Sequence, residues 1–200
     1  MSLQEDPQFL GDCSVIFDLL RTRFKDAHSG SARRQMFENG NFEKEPKGAW
    51  SITLGHTFRQ YITPDRNREP SKLFKSKWET VYYTQNRDIF ELLKEFINNY
   101  YPGYDFTEIQ LNYNWKSPIH KDQGNIGESV IIGLGDYTGG ELVIVGNNQT
   151  HVNDDHHEYD INCKFLQFDG AKYFHYTKDY EGDRMSIVFY NIKAQKLKKN

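Results

Sequence analysis

Cysteine is scarce: two in 200 residues, Cys13 and Cys163, with no CxxC pair. That excludes a disulfide framework and the common zinc ribbons, and makes a reducing compartment the expectation. No apolar run approaches the roughly 18 residues of a spanning helix, so no membrane partner is expected. The stretch MSLQEDPQFLGDC lacks a basic n-region and an apolar h-region, so an intracellular protein is expected, nuclear or cytoplasmic and not secreted. No sign of charge dominates: the net charge is −3, which excludes a strongly basic nucleic-acid binder but leaves room for local basic patches. Internal repeats and low-complexity tracts are also missing.

What is present is aromatic and β-rich. Aromatic residues make up 15% of the chain and hydrophobic residues 37%, which argues against wholesale disorder. Within residues 7–26, Val15, Ile16, Leu19, Leu20 and Phe24 recur at helical spacing. Residues 27–48 read as loop and Ala49–Phe58 as a strand. Arg59–Lys77 reads as an irregular basic loop, six Lys/Arg against Asp65 and Glu69. Asn86 is placed to cap a helix carrying Ile89, Leu93, Phe96, Ile97 and Tyr100.

From residue 105 the period changes to two. Thr107–Tyr113 alternates Ile109, Leu111 and Tyr113 against Glu108, Gln110 and Asn112, as a half-buried strand does. Ser129–Leu134 and Glu141–Val145 are β-rich runs joined by GDYTGG, a connection of hairpin type. Lys164–Phe168, Lys172–Tyr176 and Arg184–Ile192 follow. Short strands with Gly/Asp/Asn turns predict a barrel or jelly roll, with two or three N-terminal helices outside. The expected organisation is one structural domain: an elaboration over 1–104, a core over 105–192 and a basic tail over 193–200.

Positions i and i+2 of an extended chain share a side, so His120 and Asp122 can grip one ion. His175 lies 53 residues past Asp122 on a later strand. Two imidazoles and a carboxylate are the 2-His-1-carboxylate set that holds Fe(II) with positions open. Nine residues on, Arg184, Ser186, Val188 and Tyr190 share one strand face. A buried Arg and hydroxyl are costly unless they bind an anion, and a dicarboxylate suits them.

HxD…H…RxS over residues 107–192 resembles the Fe(II)/2-oxoglutarate dioxygenases, whose fold is a double-stranded β-helix. The resemblance implies a mainly β protein with flanking helices (α+β) around a jelly-roll oxygenase core. It implies His120, Asp122 and His175 as catalytic iron ligands. It also implies Arg184 and Ser186, with Asn112, as contacts to 2-oxoglutarate, and O₂ as the other co-substrate. HKDQGN, GLGDYTGGEL, FDG and RxSxxxY look like the TET/JBP branch, which oxidises the 5-methyl group of pyrimidines in nucleic acid. In that branch Asn125 would read a flipped base and Tyr190 would stack on it. Ile192 stands where many TET enzymes carry a histidine, and the target stays open between 5-methylcytosine and thymine. Nucleic acid is the expected partner, DNA favoured over RNA, with the chain a monomer.

Without the resemblance, Asn125 reads as a turn residue in DQGN and Tyr190 as a core aromatic. The cluster His151, Asp154, Asp155, His156 and His157 reads as a solvated loop, the two cysteines as inert thiols, and the C-terminal lysines as a solvating tail. The competing function is a 2-oxoglutarate-dependent hydroxylase of a protein side chain or small molecule. A non-catalytic binding module is disfavoured by the intact triad.

Overall fold

The computed structural model describes residues 2–29, 48–62, 73–122, 124–146 and 156–192; of residues 58–62 and 73–78 the backbone alone is described. Helix α1 spans Pro7–Arg23. Asp6 caps it, accepting the Gln8 N–H, and Pro7 sits in the first turn where its missing N–H costs nothing. Its buried stripe is Phe9, Cys13, Ile16, Phe17 and Leu20. Val15, grouped by its sequence spacing with this stripe, is instead 66% exposed. Helices α2 (Val81–Gln85) and α3 (Arg87–Tyr100) follow. Asn86 does stand at the start of α3, yet its side chain makes no cap there. Its amide donates to Tyr82 O and its oxygen accepts from Arg23.

Among the described residues ten strands follow the chain: β1 Trp50–Leu54, β2 His56–Ile62, β3 Leu73–Glu79, β4 Glu108–Tyr113, β5 Ser129–Gly139, β6 Leu142–Val145, β7 His156–Tyr159, β8 Leu166–Phe168, β9 Phe174–Thr177 and β10 Tyr180–Tyr190. The larger sheet has the order β1-β4-β10-β5-β8 and the smaller β7-β6-β9. The smaller sheet is extended by a bridge between His120 and His175. The two sheets enclose a cavity lined by side chains from both, the architecture of a double-stranded β-helix. β1, from the segment expected to lie outside the core, is the edge strand of the larger sheet.

Strand alternation decides what faces what. Met185, Ile187 and Phe189 of β10, Val130, Ile132 and Leu134 of β5, and Ile109 and Leu111 of β4 face the helices. There they form one core with the stripes of α1 and α3. Opposite them, Gln110, Asn112, Ser186 and Val188 point into the cavity. The expectation of a half-buried β4 therefore fails: Glu108, Gln110 and Asn112 are buried too, at 0%, 3% and 7% exposure. They stay polar because neighbouring strands satisfy them. Gln110 meets Ser51 and Thr53, Asn112 meets Ser51 and Ser186, and Glu108 meets His56.

Three further expectations are corrected. GDYTGG is no hairpin: β5 runs on through Tyr137, and the chain crosses to the other sheet at Gly139 and Gly140, both at positive φ (75° and 72°). The basic segment 59–77 is not all loop, because β2 and β3 pair from His56↔Glu79 to Ile62↔Leu73. His156 and His157 belong to β7, paired with β6. Residues 63–72, with Arg66, Arg68 and Lys72, lie outside the described residues, as do His151, Asp154, Asp155 and the tail 193–200.

The two thiols meet. Cys13 of α1 and Cys163 border one cavity and both are free. A hydrogen bond to Cys163, then burial, pushes the Cys13 thiol far up, while the same bond lowers Cys163. Among the described residues no helix is long and apolar enough to cross a membrane.

Candidate metal and anion site

Backbone pairing builds the centre. His120 and His175 exchange both N–H···O bonds at 3.0 Å, and the Asp122 N–H donates to Gly170 O at 2.8 Å. This fixes three side chains on one side. His120 Nδ1 lies 2.7 Å from Pro118 O, and His175 Nδ1 3.1 Å from Tyr173 O. A carbonyl only accepts, so Nδ1 carries the hydrogen in both rings and each Nε2 keeps its lone pair. Both lone pairs face the carboxylate: His120 Nε2 is 3.6 Å from Asp122 Oδ1, and His175 Nε2 is 3.7 Å from Asp122 Oδ2. The three candidate ligand atoms lie within 4.8 Å of one another. Gathered lone pairs and a carboxylate want a cation, and this donor set suits Fe(II).

Two uncharged neighbours shape the centre. The Phe168 ring stands edge-on to His175, 5.1 Å between centroids. A Cβ on Gly170 would sit 2.8 Å from Asp122 Oδ2 and 3.3 Å from His175 Cε1.

The same cavity is lined by Asn112, Asn125, Ser186 and Tyr190 beside the triad. Ser51, Asn112 and Ser186 stand directly opposite one another on β1, β4 and β10. Ser51 Oγ donates to Asn112 Oδ1 at 2.6 Å, and Asn112 Nδ2 donates to Ser186 Oγ at 3.2 Å. Asn112 thus orients Ser186, whose own O–H remains to donate.

Arg184 is not on the cavity wall. It is 1% exposed, packed over the rings of Tyr137 (5.4 Å) and Tyr180 (5.6 Å). Burial pushes its guanidinium below the usual value. Among the described residues it makes no salt bridge; its buried Nε has no hydrogen-bond partner, and its guanidinium and the Tyr137 hydroxyl interact with each other. Burial pushes the Tyr137 phenol up to about 12, so it stays protonated and can donate. Arg184 thus has no carboxylate in salt-bridge range, and a buried cation of this kind wants an anion.

Asn114 sets the Arg184 backbone from both sides: Oδ1 accepts from Arg184 N, and Asn114 N donates to Arg184 O, each at 2.8 Å. Its φ of 48° is the left-handed conformation that Asn tolerates best after Gly. Sequence reading missed Asn114 and Ser51, and it contained Tyr137 and Gly170 only within the GLGDYTGGEL and FDG motifs, without a role. The signal for Tyr137 lies in period two, which puts Gly133, Gly135 and Tyr137 on the inner face of β5.

No protein-family profile and no curated protein matches the chain. Solved structures to which it is similar include NgTET1 in complex with 5mC DNA, at 13% identity and TM-score 0.48. That match covers 92% of this chain and 70% of that one. A Pseudomonas putida prolyl-4-hydroxylase matches at 13% identity and TM-score 0.48, over 92% and 88%. An oxidoreductase of the 2OG-Fe(II) oxygenase family from Burkholderia pseudomallei matches at 18% and 0.38, over 68% and 71%.

Proposed function

We propose that this chain is an Fe(II)/2-oxoglutarate-dependent dioxygenase acting on the 5-methyl group of a flipped pyrimidine in nucleic acid, DNA favoured. The observation that carries the reaction class is the convergence of His120 Nε2, Asp122 and His175 Nε2 in one cavity also lined by Ser186, with Arg184 buried two residues before Ser186 on β10 and in no salt bridge among the described residues. His120, Asp122 and His175 would hold the metal; Arg184, Ser186 and Tyr137 would hold the distal carboxylate of 2-oxoglutarate. Bound together, Fe(II) and 2-oxoglutarate supply the O₂ activation that puts an oxygen atom into a substrate C–H bond.

The protein's share is position and exclusion of water. The carbonyls of Pro118 and Tyr173 keep both imidazoles in the ligating tautomer. Phe168 and Val188 give the cavity an apolar side. Tyr190 offers a stacking face worth about 1–3 kcal/mol to an extruded base. Asn125 offers an acceptor. Its amide nitrogen donates to Asp122 Oδ2 and Ser129 Oγ, which leaves the carbonyl oxygen for the cavity. Beside the 5-methyl group, 5-methylcytosine carries an amino donor and thymine an oxygen, so the acceptor favours 5-methylcytosine.

The test is mass spectrometry of nucleosides after incubating methylated DNA, unmethylated DNA and RNA with protein, Fe(II), 2-oxoglutarate and ascorbate. Hydroxymethyl product from methylated DNA is expected, with succinate in step. Arg184→Ala should raise the 2-oxoglutarate KM at least about tenfold, since each charge-assisted hydrogen bond is worth roughly 1.5–3 kcal/mol. Succinate formed with peptides or small molecules, and never with nucleic acid, would move the assignment to the competing hydroxylase.

A further inference from the structure

We infer that Asn125 is a positioning residue for the metal-binding carboxylate, acting through Asp122 Oδ2; this rests on Asp122 being a metal ligand. The Asn125 N–H donates to Asp122 O at 3.0 Å, closing a turn that brings its side chain back onto Asp122. Asn125 Nδ2 then lies 3.4 Å from Asp122 Oδ2 and 3.3 Å from Ser129 Oγ. Asn125 is 8% exposed and Ser129 0%.

The orientation of the amide follows from chemistry. A carboxylate oxygen only accepts, so the amide nitrogen must face Asp122; the flipped amide would set two acceptors against each other. Asp122 needs such a partner, because the terminal torsion of an aspartate is broad and its two oxygens are otherwise interchangeable. Gly170 bounds Oδ2 on one side and the Asn125 donor engages it on another. The far end of the device is anchored too. Asn125 bridges to Ile192, Ile126 N–H donates to Asn191 O at 2.8 Å, and Ser129 opens β5. The turn holding Asp122 is thereby tied to the end of β10, next to Tyr190.

A hydrogen bond one step behind a ligand is worth about 10–100-fold in metal affinity. The measurement is Mn(II) binding to metal-stripped protein by calorimetry, with the paramagnetic resonance spectrum of bound Mn(II) as a second readout. Asn125→Ala should weaken Mn(II) binding about 10–100-fold, and alter the spectrum, while the metal-free melting temperature changes little. Ser129→Ala keeps the amide but removes its second anchor. It should weaken Mn(II) less, in the same direction, and it reads the effect if Asn125→Ala fails to fold. Wild-type Mn(II) affinity and spectrum in the readable variant would overturn the inference and leave Asn125 facing substrate alone. Wild-type protein that binds no Mn(II), or that binds it equally after Asp122→Ala, would instead overturn the metal centre.

Discussion

Gly170 has no side chain because Asp122 Oδ2 lies where one would begin, 2.8 Å from the position of a Cβ. Its φ is not in the left-handed region, so alanine meets no backbone penalty; the clash falls first on the carboxylate, with the Phe168 and His175 rings at 3.1 and 3.3 Å. Gly170→Ala should therefore cost at least about tenfold in Mn(II) affinity, in the range of other changes behind a ligand, with the fold kept. Unchanged affinity by calorimetry would show that Asp122 can step aside. At this scale the chain announces its ligands and hides their supports. His120, Asp122 and His175 are legible because metal chemistry restricts residue type and spacing. Gly170, Asn114 and Tyr137 act through backbone space, a left-handed turn and a barrel face; Gly170 and Tyr137 stand in recognisable motifs, but the motifs do not say what they do, and Asn114 leaves no signature.

At the scale of elements, period two separates the apolar and polar faces of β10, and the same rule fails on β4. Period two says that the faces differ, not that the polar one meets water. For β4 it meets Ser51, Thr53 and Ser186, donors and acceptors on other strands that no local pattern foretells. β10 also joins the helical layer through Asp183. Its carboxylate accepts from Asn114 Nδ2 and Tyr113 Oη, each at 3.1 Å, and pairs with Arg21 of α1 at 3.4 Å. The Asn114 hydrogen bond, with those from Tyr113 and Arg21, holds Asp183 below the usual carboxylate range. A depressed acid contributes stability above its unfolded pKa, and loses it as pH falls through the folded value. Asp183→Asn should cost about 0–1 kcal/mol at pH 7, since the side chain is 46% exposed and screened. Urea titrations of both proteins should converge as pH drops below 3.8, the ordinary value for Asp. A constant difference across that range would remove Asp183 from the acid limb.

For the whole molecule, the consequential feature is the mutual backbone pair of His120 and His175, which joins segments that everything from β5 to β8 separates. Closing so long a loop costs entropy, which an ion bound across the pair helps to offset. An ion held across it can bind the native state and little before it. Saturating Mn(II), at about 100 times its Kd, should add about 2.7 kcal/mol, or roughly 5–10 °C in Tm for a chain of this size. His175→Ala should erase the shift. If the pair forms after the transition state, the ion should slow unfolding and leave the refolding rate where it was. The metal would then act as a clasp on a finished barrel, extending the lifetime of the folded protein without hastening its birth.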